Sequence, residues 1–166
     1  MISSPLLTSK QYFKTLSTVH VALTTGQLLF AGIAIMLTAK GGIAIEPEEL
    51  GNTLPLLAAG LSTGGVIAGH FLFRRKLQAL RQLNGLSTKL KNYRAASLMR
   101  WALLEGPALF TIVAFLLTGK YWLLGLCAAL IALFISYKPP KQSALQDLQL
   151  SHEEEYQLTD PEANLA

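Results

Sequence analysis

One carboxylate in this chain stands where carboxylates are rare. Glu105 lies in an apolar run, between Ala102-Leu103-Leu104 and Gly106-Pro107-Ala108-Leu109-Phe110, and no acidic residue separates it from Glu49. An ionisable side chain in such a run is costly to hold, and desolvation would lift its titration toward neutrality, the property a proton or cation carrier needs. The basic groups placed to meet it are His20, His70, Arg74 and Arg100, each near the same end of an apolar segment. Arg100 precedes Glu105 on one helix by roughly 140° of rotation, so the two do not share a face and partners from other helices fit better. Two readings follow: an interhelical ion pair that is purely structural, or proton or cation handling at Glu105.

Gly60, Gly64, Gly65 and Gly69 form two overlapping G-x-x-x-G patterns. In lipid no hydrophobic force draws helices together, and small residues let backbones approach. Packing inside one bundle is the simpler use, self-association the other. The remaining chemistry is sparse. Cys127 is the only cysteine, which removes internal disulfides and cysteine metal sites; within Leu126-Cys127-Ala128 it reads as a packing residue. His152 beside its glutamates reads as a solvated tail. No metal-ligand spacing, phosphate loop or Ser-His-Asp arrangement is present, so neither enzyme activity nor a cofactor or metal is expected.

The elements that must position these residues are membrane helices. Charged residues make up 14% of the chain and hydrophobic ones 51%, against about a quarter charged in soluble domains. The net charge of +4 would suit nucleic acid, but the basic residues flank apolar runs, as membrane orientation requires; no nucleic-acid partner is expected. A helix crosses the hydrocarbon with about 20 residues, which predicts spans over about 16–38, 53–73, 98–118 and 121–137. The first run is too long for the apolar core of a signal peptide. Pro55 falls in the first turn of the second span, where its missing N–H costs least, and Pro139-Pro140 stops the fourth.

Lysine and arginine fix the orientation. Lys10 and Lys14 precede the first span; Arg74, Arg75, Lys76, Arg81, Lys89, Lys91 and Arg94 fill the second loop; Lys138 and Lys141 follow the last span. The first loop sets Lys40 against Glu46, Glu48 and Glu49. The chain therefore reads as an all-α polytopic membrane protein of the bacterial inner (cytoplasmic) membrane, with both termini cytoplasmic. Within the second loop, Leu77, Leu80 and Leu83, then Leu86, Leu90 and Tyr93, recur at helical spacing around Asn84-Gly85. This predicts a cytoplasmic helical hairpin over 74–97, extending the flanking spans. Residues 141–166 form an acidic tail, either a short surface helix begun by a Ser151–Glu154 capping box or disordered chain.

The depth of Glu105 follows. Gly106–Gly119 would cover only about 21 Å of helix, too short to cross, so Glu105 enters the apolar zone. Counting about 20 residues back from Lys120 puts the inner edge near Arg100, and Glu105 about 7 Å inside it. That is a shallow position.

The chain also repeats itself. Set without gaps against Tyr93–Lys120, Phe13–Lys40 meets the same residue at Ser17, Ala22, Leu23, Gly26, Leu29, Phe30, Ala34, Leu37, Thr38 and Lys40. Two tandem helical hairpins of parallel topology, 1–140, are the economical reading. Thr25 occupies the position equivalent to Glu105, so the carboxylate breaks the repeat.

At these residues two resemblances enter. The run Leu98-Met99-Arg100-Trp101-Ala102-Leu103-Leu104-Glu105-Gly106-Pro107-Ala108-Leu109-Phe110 resembles an uncharacterised set of small four-helix membrane proteins of Bacteroidetes-type bacteria, which implies a compartment and no activity. A shorter stretch resembles the rotor-ring proteolipids of rotary ATPases: Gly60–Gly69, a basic loop, then a helix whose carboxylate is followed by small and aromatic residues. That resemblance implies proton binding at Glu105. It departs in the long loop, the two extra spans and the shallow carboxylate.

The function expected is a non-enzymatic structural or interaction subunit of a membrane assembly, in contact with the lipid bilayer and with a second copy or another membrane protein. The alternatives are a proton- or cation-handling subunit using Glu105, and a small oligomeric transporter.

Overall fold

The computed structural model describes residues 8–41, 48–83, 85–138 and 141–160, and over these the chain is all-helical. Helix α1 (Ser9–Ala39) opens with a capping box: the Thr8 hydroxyl accepts from the Gln11 N–H, and the Gln11 side chain accepts from the Thr8 N–H, satisfying two donors that a helix start leaves free. Helix α2 (Glu48–Arg81) begins before the apolar run, because Glu48–Asn52 continue the helix outward. Pro55 therefore sits inside the helix rather than in its first turn, the position expected for it. Helix α3 (Leu86–Thr118) stops at Gly119, whose φ of 65° is left-handed and whose N–H donates to the Phe115 carbonyl at 2.8 Å, a termination glycine accepts without strain. Helix α4 (Trp122–Ser136) follows after a turn of a few residues.

Helices α2 and α3 continue from their apolar segments into the charged ones and meet at a turn around Gly85, with Leu77, Leu80, Leu86, Leu90 and Tyr93 buried. Leu83 lies at the turn and is exposed. Asn84, Glu46 and the Pro139-Pro140 stop lie outside the described residues. Of the two forms expected for the tail, the short helix is present, joined by a second helix and packed onto the protein. Helices α5 (Lys141–Leu148) and α6 (His152–Thr159) fold back onto this hairpin end, and Leu148 and Leu158 join its core with no exposed surface. The Ser151–Glu154 capping box is formed.

α3 is the central element, packed against α1, α2 and α4, its closest partner being α2. Three helices, α1, α2 and α3, are long and apolar enough to cross a membrane. The fourth apolar helix is shorter: α4 has 15 residues, about 22 Å of rise against about 30 Å of hydrocarbon.

The bundle turns its apolar side outward. Leu29, Leu56, Ile67 and Phe71 are at least 63% exposed, while His20, Gln27, Ser62, Ser97 and Thr111 are buried. Water would penalise so continuous an apolar surface; lipid does not, and polar groups then gather inside where other protein groups can meet them.

Candidate functional site

Glu105 projects from the strip of α3 that faces away from α2. Its neighbours on that strip, Ala102 and Gly106, are exposed, and Glu105 itself is half-buried between them. A side chain added at Gly106 would meet nothing within 4 Å. Among the described residues the Glu105 carboxylate has neither a hydrogen bond nor an ion pair, in contrast to Glu154, which pairs with Lys89 at 2.8 Å.

The four basic residues set beside Glu105 on sequence grounds are engaged elsewhere. His20 packs inside the bundle, its Nε2 3.0 Å from the Phe134 carbonyl, its ring stacked on Phe134 and edge-on to Trp101. Trp101 Nε1 in turn donates to the Tyr137 carbonyl at 3.2 Å. This aromatic brace joins α1, α3 and α4 at one level. His70, Arg74 and Arg100 converge instead on a cavity of about 290 Å³ at the hairpin end of the bundle, lined also by Phe73, Leu77, Tyr93, Ser136, Tyr137, Lys138 and Asp147. The Arg100 guanidinium is held between two rings, 3.9 Å from the centroid of Phe73 and 4.2 Å from that of Tyr137. Its buried Nε has no hydrogen-bond partner among the described residues.

The cavity has a floor as well as walls. The Tyr93 hydroxyl donates to Asp147 Oδ2 at 3.2 Å, and Arg81 Nε donates to the Asp147 carbonyl at 2.9 Å, so α5 is clamped onto the hairpin. Burial, with the Asp147 carboxylate beside it, pushes the Tyr93 phenol well above its usual range; it remains a neutral donor. Burial raises the Glu154 carboxyl, but the hydrogen bonds from Lys89 and Ser151 outweigh this and leave it below the usual carboxylate range.

The glycine stripe divides by face. A Cβ at Gly65 would collide with the Leu103 carbonyl oxygen and lie 2.7 Å from Pro107 Cγ, and one at Gly69 would touch Leu103 and Arg100. Gly65 and Gly69 therefore seat α2 against α3. At Gly60 and Gly64 nothing lies within 4 Å of the same position, and both are exposed. The Gly65 contact has a local cause. Pro107 has no N–H to give the Leu103 carbonyl, and Gly65 brings its Cα–H to that free acceptor, a weak but favourable contact.

Gln27 was not singled out from sequence. It is 1% exposed, midway along the first apolar run, and neither Nε2 nor Oε1 has a partner among the described residues. The available signal was simple: it is the only carboxamide within the four apolar runs. Its equivalent in the second copy is Pro107, so the repeat is broken there too. No group of His, Cys, Asp and Glu among the described residues is placed to hold a metal.

No protein family, curated protein or solved structure matches this chain. The functional reading therefore rests on the chain's own geometry.

Proposed function

We propose that this chain is a non-enzymatic interaction subunit of the bacterial inner membrane, crossing it four times with both termini and the α2–α3 hairpin in the cytoplasm. The observation that carries the reading is the partnerless Glu105. The basic groups near its level are turned elsewhere: His20 meets the Phe134 carbonyl, and the Arg100 guanidinium lies over the rings of Phe73 and Tyr137. A carboxylate left on an outward strip between Ala102 and Gly106 has its compensation outside the chain, and the small neighbours leave a partner helix room to reach it.

The four-span topology is supported by the course of α4. It starts beside the end of α3 and finishes where Trp101 donates to Tyr137, so it runs back alongside α3 despite its length. A tandem duplication of two helical hairpins would give this arrangement. Proton or cation handling at Glu105 is the rival, because a proton also neutralises a partnerless carboxylate.

Affinity purification of the tagged full chain from native membranes separates the two. A defined second subunit, or a second copy, should co-purify and be lost in Glu105→Gln while the variant remains folded. Recovery of a lone monomer whose Glu105 reacts with a hydrophobic carbodiimide in a pH-dependent way would replace the interaction reading with the proton-handling one.

A further inference from the structure

We propose that the cavity at the hairpin end is a binding site for a phosphate-type oxyanion. Its charge is lopsided. Arg74, Arg100 and Lys138 line it with His70, and Asp147 is the one acidic residue among its walls. His70, Arg74 and Lys138 lie exposed around its mouth, whereas Arg100 forms the interior.

Arg100 decides the ligand class. A guanidinium carries five N–H donors in a planar fork that matches two oxygens of a phosphate or carboxylate. Here the plane is fixed between Phe73 and Tyr137, so little side-chain freedom remains to be lost on binding. Among the described residues it nonetheless has no hydrogen bond or ion pair, and its Nε is buried and unsatisfied. An arginine used only for structure would have found an acceptor. Asp147 is the nearest candidate, yet it accepts from Tyr93 instead. The guanidinium is held in place with donors unused, and two further cations at the rim add to the positive charge that a phosphate group would meet.

Two sources supply such a group: the headgroup of an anionic phospholipid, or a soluble phosphate. Basic pockets between membrane helices at the cytoplasmic surface suit the first. The inference does not depend on the role proposed for Glu105, which lies on another face of α3.

The test uses the full chain purified in a neutral detergent, titrated with short-chain phosphatidylglycerol, short-chain phosphatidylcholine and inorganic phosphate, with binding followed by native mass spectrometry and calorimetry. Phosphatidylglycerol or phosphate should bind in preference to phosphatidylcholine. Arg74→Gln and Lys138→Gln, both at exposed positions, should each weaken binding by about fivefold. Arg100→Lys keeps the charge but loses the fork, and should weaken it further. Asp147→Asn should tighten it, since a competing negative charge leaves the wall; a purely structural cluster gives no such gain. If inorganic phosphate displaces the lipid, the physiological source is a soluble phosphate; if it does not, the source is the headgroup. Equal binding of both lipids with none of phosphate, or rim variants that bind as the parent does, would overturn the proposal.

Discussion

Glu105 and Gln27 are both polar side chains that this fold leaves without partners, but they differ in where they point. Glu105 is on an outward strip, so its neutralisation is open to a second molecule. Gln27 is enclosed, and a buried amide with neither donor nor acceptor used costs about 1–3 kcal/mol for each group left unmade. Gln27→Leu should therefore stabilise the protein by about 1 kcal/mol or more, seen as a higher midpoint on thermal unfolding in mild detergent. A clear loss of stability would show instead that the amide is satisfied from outside the chain. Glu105 was conspicuous in the sequence because charge in an apolar run is visible to the eye. Its isolation was not, because rotation about the helix decides which neighbours a side chain meets.

Contacts between elements depend on two devices, one in the membrane layer and one outside it. In the first, Gly65 meets the carbonyl that Pro107 releases, and the colliding atom is backbone, which cannot swing away. Gly65→Ala should cost about 1–3 kcal/mol and separate α2 from α3, whereas Gly60→Ala, which meets nothing, should cost no detergent stability and raise it by up to about 1 kcal/mol through helix propensity. In the second, the Lys89–Glu154 pair, the Ser9 hydroxyl donating to the Leu158 carbonyl at 2.7 Å, and the buried Leu158 hold α6 against the hairpin end. Because the Glu154 carboxyl titrates below its unfolded value, its contribution is full above the ordinary carboxylate range and is lost as pH falls through the lower, folded value. Hydrogen exchange of the α6 amides, corrected for its intrinsic pH dependence, should quicken over that acidic window. Glu154→Gln should exchange faster at neutral pH and show no such step, the loss being about 1–2 kcal/mol.

The molecule as a whole is a bundle with an apolar exterior and one polar end. Its proposed orientation can be read chemically, since Cys127 is buried and the native chain serves as background. Tyr121 is exposed at the α3–α4 turn, and Gln82 is exposed at the α2–α3 turn. In intact cells an impermeant maleimide should label Tyr121→Cys, and should label Gln82→Cys only after the membrane is opened. Glu155→Cys, on exposed α6, should behave like Gln82→Cys. Labelling of Gln82 and Tyr121 from the same side would end the four-span reading.

Composition and patterning were enough to establish the helical class, the long apolar helices and their continuation into a hairpin through Leu77, Leu80, Leu86, Leu90 and Tyr93, because these depend on length and on periodicity along one chain. The glycine stripe was legible as a packing surface, but not its division between Gly65/Gly69 and Gly60/Gly64. Pro55 was misplaced because the apolar run was read as the helix, although polar residues extend α2 beyond it. In the tail the capping box that starts α6 was legible, but not its docking, since the few leucines become core only when α5 and α6 meet the hairpin. Above all, the basic residues first set beside Glu105 belong largely to a different site. Sequence placed them at one depth along the bundle; only the tertiary structure decided azimuth, and azimuth determines which charges share a cavity.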